Sequence, residues 1–209
     1  MTEPPALRSD ARRNRDAIVE AAREAFAKRG LQTSLDDIAR CAGVGSGTLY
    51  RHFPTRDDLV AAVFTERMAE LAVAVDEARQ DEDPWRGFAD YVHRVCRAQA
   101  EDRGLAAIFA VGHGGKELAN LRNRAYDGFN KLIEAAKKTG DLREDCTAED
   151  VAVLLIANAG IIERAGTVAG DASERFVALV LDGLRADGAT PAPPAVTPRR
   201  LLNALRRRP

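Results

Sequence analysis

The residues best suited to chemistry sit in one short stretch, Gly45-Ser46-Gly47-Thr48-Leu49-Tyr50-Arg51-His52-Phe53. At helical spacing Leu49 and Phe53 fall on one face and should pack inward, on Ile38 and the helix before it. Ser46, Gly47, Tyr50 and Arg51 fall on the other faces and point outward. An exposed tyrosine beside an arginine on a two-turn helix adds little to stability. The pair suits a double helix of DNA, because a guanidinium forks onto guanine in the major groove and a phenol bonds a phosphate. The parts for catalysis are missing. After residue 64 there is no Walker-type glycine loop, no Gly-x-Ser-x-Gly and no His-Glu-x-x-His. Three histidines (His52, His93, His113) and three cysteines (Cys41, Cys96, Cys146) share no metal-ligand spacing, so neither a metal nor a cofactor is expected. Gly112-His113-Gly114-Gly115 has the composition of an oxyanion-hole loop but no nucleophile elbow, and is read as a joint.

Helices must position this stretch, since almost every periodic segment repeats at helical spacing and none sustains strand alternation. A first helix is expected from about Asp10 to Arg29, with Ile18, Ala22, Ala25 and Phe26 as its stripe and Gly30 as its stop. Ser34 to Asp37 fits a capping box opening a short helix to Cys41 or Ala42. Gly43 breaks it, and a second short helix runs from Ser46 to Phe53. Pro54 ends that one, and a second capping box at Thr55 to Asp58 starts a long helix through Val60, Val63, Phe64, Met68 and Leu71. Further helices begin at Pro84, near Glu117 and after Thr147, and a last one holds Phe176, Val177, Val180, Leu181 and Leu184. The class is all-α: an N-terminal three-helix helix-turn-helix domain plus a larger helical domain for ligand binding and dimerisation. The boundaries expected are an arm and helix-turn-helix over 1–64, the helical domain over 65–188, and a proline-rich linker with a basic tail over 189–209.

The chain has 209 residues, 45% of them hydrophobic and 30% charged, which allows a proper core and excludes bulk disorder. No apolar run approaches the roughly 18 residues a membrane span needs, so no membrane partner is expected. The first sixteen residues lack a signal peptide's apolar core, and the odd cysteine count fits a reducing compartment. Both point to the cytoplasm, with residence on the nucleoid. The net charge of −1 hides segregation: the closing residues, Arg199 to Pro209, hold five arginines and no acid. Three fates are open for that tail: an arm for phosphates, a short helix docked by Leu201, Leu202 and Leu205, or disorder.

The run Ala17-Ile18-Val19-Glu20-Ala21-Ala22, then Phe26-Ala27-Lys28-Arg29-Gly30, Asp37-Ile38-Ala39, Ala42-Gly43-Val44 and Gly47-Thr48-Leu49-Tyr50-Arg51-His52-Phe53, resembles the DNA-binding domain of the TetR family of transcriptional regulators. It spans about residues 12–64. The resemblance implies that Thr33 and the N-terminal end of the first short helix touch phosphate. It places Ser46, Gly47 and Thr48 at the groove, counts the capping position Gly45 among the DNA-binding residues, and puts Tyr50 and His52 on the backbone, Arg51 on a base or a phosphate, and Arg56 on a phosphate. Arg12, Arg13 and Arg15 would form a basic arm. Two positions depart from the pattern: Gly45 stands where a capping serine is usual, and Ser46 where lysine is frequent.

The resemblance further implies a pocket for an unknown small-molecule effector, with Trp85, Phe88, Tyr91, Val92, Phe109, Tyr126, Phe129, Ile133 and Asn158 as candidate liners. Aromatic residues at helical spacing equally describe an ordinary core. Asn158 lies four residues from both Leu154 and Ile162 on an apolar stripe, so its amide bonds either another helix or a ligand. Val153, Ala157, Gly160 and Ile161, with Val177, Val180, Leu181 and Leu184, read as the association surface of a homodimer. The function expected is a ligand-responsive repressor that binds a pseudo-palindromic double-stranded DNA operator, with no enzyme activity. The alternatives are a regulator switched by a protein partner or by abundance, and an all-α enzyme or binding protein.

Overall fold

The structure is a computed structural model that describes residues 5–102, 104–105, 114–197, 199–201 and 203. Within them run α1 (Pro5–Arg29), α2 (Leu35–Cys41), α3 (Ser46–His52), α4 (Arg56–Ala78), α5 (Pro84–Glu101), α6 (Gly115–Lys138), α7 (Ala148–Arg164) and α8 (Ala169–Gly183), with a 3-10 turn at Gly166–Val168 before α8. No strand forms among the described residues. One isolated antiparallel bridge joins Leu142 to Arg185.

The stripes read from the sequence are the buried faces. Ile18, Ala22, Ala25 and Phe26 of α1 close over Ile38, Leu49 and Phe53, all of them buried. Gly43, at φ 70°, turns the chain between α2 and α3 in the left-handed region that glycine adopts without strain. The capping box expected at Thr55 forms with Asp58 and opens α4, and Thr147 forms another with Asp150 at the start of α7. A third cap, Asp83 ahead of Pro84, starts α5 by accepting from the Trp85 and Arg86 amides.

Four expectations need correction. Helix α1 begins at Pro5, not Asp10, because a proline at the first helical position needs no hydrogen-bond partner and good helix formers follow. Arg12, Arg13 and Arg15 are therefore helical residues and not a free arm. Arg12 and Arg13 pair with Asp16 and Asp10, and the Arg15 guanidinium lies 5.4 Å from the Phe53 ring centroid. Ser34 precedes α2 but makes no side-chain cap bond, and the Asp37 carboxylate pairs with Arg29 and Arg40 instead of reaching back to the cap. Helix α8 turns Val177 and Leu181 into the chain's own core, leaving Leu179 outside with Val153 and Ile156 of α7.

Helix α4 carries the architecture. Its Phe64 stacks on Phe26 of α1 with centroids 6.1 Å apart, while its far end packs against α6. That second contact depends on Gly128: a Cβ there would lie 2.7 Å from Val75 Cγ1. A single apolar cluster runs from Ile18 through α4 to Leu181. After α8 the chain is strapped to the α6–α7 connection, where Arg143 donates to the Thr190 carbonyl (2.7 Å) and Asp145 accepts from the Ala192 amide (3.3 Å). Arg143 and that amide hold the Asp145 carboxyl down to about 2. Residues 193–197 are exposed and without regular structure, as the prolines require. Residues 199–201 form a helical turn in which Leu201 donates to the Thr197 carbonyl (3.0 Å); Leu202, Leu205 and the last three arginines lie outside the described residues.

Replacing Gly128 with Val should force α4 and α6 apart and cost about 1–3 kcal/mol of stability. Urea denaturation will show this as a lower midpoint with an unchanged slope.

Candidate nucleic-acid interface

Two side chains lock α3 in place. Leu49 is fully buried and Phe53, just past the helix, is nearly so. The opposite side is given to solvent: Gly45, Ser46, Gly47, Tyr50 and Arg51 are exposed, while Thr48 and His52 are half-buried. Tyr50 leaves 46% of its surface in water although it is large and partly apolar. Arg51 folds along its own helix, donating through Nε to the Gly47 carbonyl (3.2 Å) and through Nη2 to Thr48 Oγ1 (3.0 Å). Its guanidinium is thereby carried toward the N-terminal end of α3. Gly45 is the N-cap residue, in extended backbone, and no side chain caps the helix; Ser46 does not take over that role. No acidic residue lies within α3.

Gly47 has no internal reason to be glycine. A Cβ built there meets nothing within 4 Å, and the same holds at Gly45. A glycine in the first turn of an exposed helix gives up stability that alanine would supply. What it leaves is a flat place beside Tyr50 and Arg51 where another backbone can approach closely.

The two remaining predicted contacts sit differently. Thr33 is buried, and its hydroxyl donates to the Gly30 carbonyl (2.8 Å), so it closes the turn after α1. Arg56 Nη1 donates to the carbonyls of Leu31 and Thr33, both at 2.6 Å. Arg56 thus ties the first residue of α4 to the α1–α2 connection. Spacing along a helix gave no sign of these bonds, which span more than twenty residues of chain.

The fold and this surface have counterparts. Residues 18–63 match the family model described as bacterial regulatory proteins, tetR family, and residues 83–186 match that of the transcriptional regulator SbtR-like C-terminal domain. The probable HTH-type transcriptional regulator ArpR of Pseudomonas putida is 39% identical over 165 residues, covering 72% of this chain and 78% of that protein. The HTH-type transcriptional repressor BepR of Brucella suis is 26% identical over 167 residues, covering 73% and 80%. The solved structure of the TetR transcriptional regulator SCO0520 from Streptomyces coelicolor is 35% identical, with a TM-score of 0.52, over 82% of this chain and 98% of that one. This chain belongs to the TetR family.

Membership makes it a DNA-binding regulator of transcription, and its matches are regulators and not enzymes. Among the described residues no helix is long and apolar enough to cross a membrane. In the helical part of this TetR-family chain, most of the expected effector liners are brought together, but as packed core. Trp85 meets Phe88 at 5.6 Å, Phe88 meets Phe129 at 5.7 Å and Tyr91 meets Phe129 at 5.6 Å between centroids. Val92 and Ile133 are buried with them, and burial pushes the Tyr91 phenol up. Tyr126 stands apart, exposed, its hydroxyl donating to Glu149 Oε1 (3.2 Å). Phe109 lies outside the described residues, as does His113.

Asn158 takes helices as its partners. Its Nδ2 donates to Gln99 Oε1 (3.0 Å), its Oδ1 accepts from Ser173 (2.7 Å), and Gln99 donates on to the Leu155 carbonyl (3.3 Å). Gln99 and Ser173 were overlooked in the sequence, yet each sits on an apolar stripe, four residues from Val95 and Val177 respectively. The signal that singled out Asn158 finds them too. Two surface depressions flank α4: one of about 510 Å3 against α5, among Arg67, His93, Arg94 and Arg97, and one of about 370 Å3 against α6, among Asp76, Asn123, Arg124 and Lys131. None of the eight expected liners that lie among the described residues borders either.

Gly47→Ala should stabilise the free protein by up to about 1 kcal/mol, since the added methyl meets nothing and favours the helix. It should also weaken binding to a cognate DNA duplex. A thermal melt and a DNA titration on the same preparation check both signs.

Proposed function

We propose that this TetR-family protein acts in the cytoplasm as a homodimeric repressor of a pseudo-palindromic operator, released by a small-molecule effector. Residues 1–64 serve as the DNA-binding domain and 65–188 as the effector and dimerisation domain. The observation that carries the reading is the outer face of α3, which gives a glycine with open space around it, a large aromatic ring and an arginine to solvent. On this reading Ser46, Gly47 and Thr48 lie at the base edges, Arg51 reaches guanine or phosphate, and Tyr50 and His52 hold the backbone. Arg56 acts mainly by fixing the α1–α2 connection, with a phosphate as a further acceptor for its remaining donors.

A second surface supports the dimer. Val153 (44% exposed), Ile156 (40%) and Leu179 (56%) sit on the outer faces of α7 and α8, with Ala157 exposed and Gly160 half-buried beside them. Exposed branched residues next to small ones let two helices from each chain meet in a four-helix bundle. A two-fold axis there would set two recognition helices about 34 Å apart, one turn of DNA. The repressor role is supported by the name carried by BepR.

An effector acts only through its preference for one arrangement of the dimer over another. The closed packing of Phe88, Tyr91 and Phe129 means that a molecule entering between α5, α6 and α7 must move these rings. The continuous core passes such a movement to α4. The same closed packing favours a second reading, a regulator that needs no small ligand. Thermal melts of the dimer across a metabolite library separate the two.

Leu179→Glu should turn the protein monomeric in sedimentation without unfolding it. Specific DNA affinity should fall by two or more orders of magnitude although α3 is untouched, because linked half-sites bind far more tightly than one. A Leu179→Glu protein that remains dimeric would remove α7 and α8 from the interface.

A further inference from the structure

We propose that Arg23 and Asp102 are positioning residues for DNA binding: together they set the angle between α1, on which α3 rests, and the helical domain. Arg23 lies on α1, three residues before Phe26. Asp102 is the C-cap residue just after α5, and its side chain is 11% exposed. The Arg23 Nη1 to Asp102 Oδ2 distance is 3.7 Å, an ion pair but not a hydrogen bond. Arg23 Nε and Asp102 Oδ2 are both buried without a hydrogen-bond partner. Glu20, on the same helix, stands off from Arg23 Nε at 3.8 Å.

A buried carboxylate oxygen facing a guanidinium that does not bond it is costly, and a shift of less than an ångström would cure it. The surroundings say which parts would shift. Asp102 Oδ1 accepts from the Gly104 amide (3.0 Å), and Gly104 presses on Phe64, where a Cβ would come within 2.9 Å of Cζ. Phe64 in turn stacks on Phe26 of α1. The contacts therefore close a ring, from Arg23 to Asp102, Gly104, Phe64, Phe26 and back along α1. Closing the ion pair rocks α1 about the Phe26–Phe64 stack, and α2 and α3 move with it. The pair makes its hydrogen bonds in the arrangement that fits DNA and is strained in the one described.

The inference rests on the DNA-binding function, and the test keeps the two separate. A duplex is selected from a random library with the wild-type protein, then titrated with Arg23→Gln, Asp102→Asn and the double variant well below their melting temperatures. Each single change should weaken binding about tenfold, and the double should be no weaker than either. The shared sign is the decisive readout. Removing a cation and removing an anion act oppositely on DNA attraction through long-range charge, but they break the same pair. Opposite signs, additive losses or wild-type affinity in the variants overturn the proposal. Failure of the wild-type chain to enrich any sequence overturns the DNA-binding reading instead. If Asp102→Asn does not fold, Arg23→Gln and Arg23→Lys carry the test, because the half-exposed arginine is dispensable for α1 itself; Lys should not restore what Gln loses, as it cannot reach the carboxylate with a fork.

Discussion

Helix α4 presents apolar side chains to both halves of the molecule, and neither half closes its core without it. Phe64 completes the packing of α1, while Val75 receives Gly128 of α6. Because one cluster runs unbroken from Ile18 to Leu181, no polar layer insulates the three-helix unit from the helices behind it. Dense interiors do not deform smoothly, so a change in the packing of α5 and α6 has to be answered along α4. At its first residue α4 is tied by Arg56 to the α1–α2 connection. On the proposed reading, the helix that holds the fold together is also the route by which the helical domain affects DNA binding.

Against this rigid frame, α3 divides its residues by purpose. Leu49 and Phe53 belong to the fold; Gly47, Tyr50 and Arg51 give the fold almost nothing. Local sequence and stability disagree here, as they commonly do where a surface is shaped for something outside the chain. The buried trio Gln99, Asn158 and Ser173 shows the opposite economy. Each polar atom bonds across a helix–helix contact, which fixes the register of α5, α7 and α8 without leaving a group unpaired.

Most of this was legible in the residues because helical spacing reveals which side chains share a face. Leu49 with Phe53, and Val60 with Val63 and Phe64, were read as core and are core. Thr55 and Thr147 announced their caps because each has an acid three residues on. The failures have physical causes. Ser34 carries the same signature, but Asp37 finds two arginines nearby and does not complete the box. On α8 the buried stripe and the outward stripe are both apolar, so spacing alone could not say that Leu181 faces inward and Leu179 outward. The partners of Arg56 and of Arg23 lie too far along the chain for any local pattern to reveal.

The separation of fold from function on α3 is tested most directly by replacing Ser46, Tyr50 and Arg51 together with alanine. Urea denaturation and titration with the selected duplex are then measured on one sample. The predicted result is a stability within about 0.5 kcal/mol of wild type and loss of sequence-specific binding. Retained specific binding, or a loss of stability large enough to account for the binding defect, would contradict it.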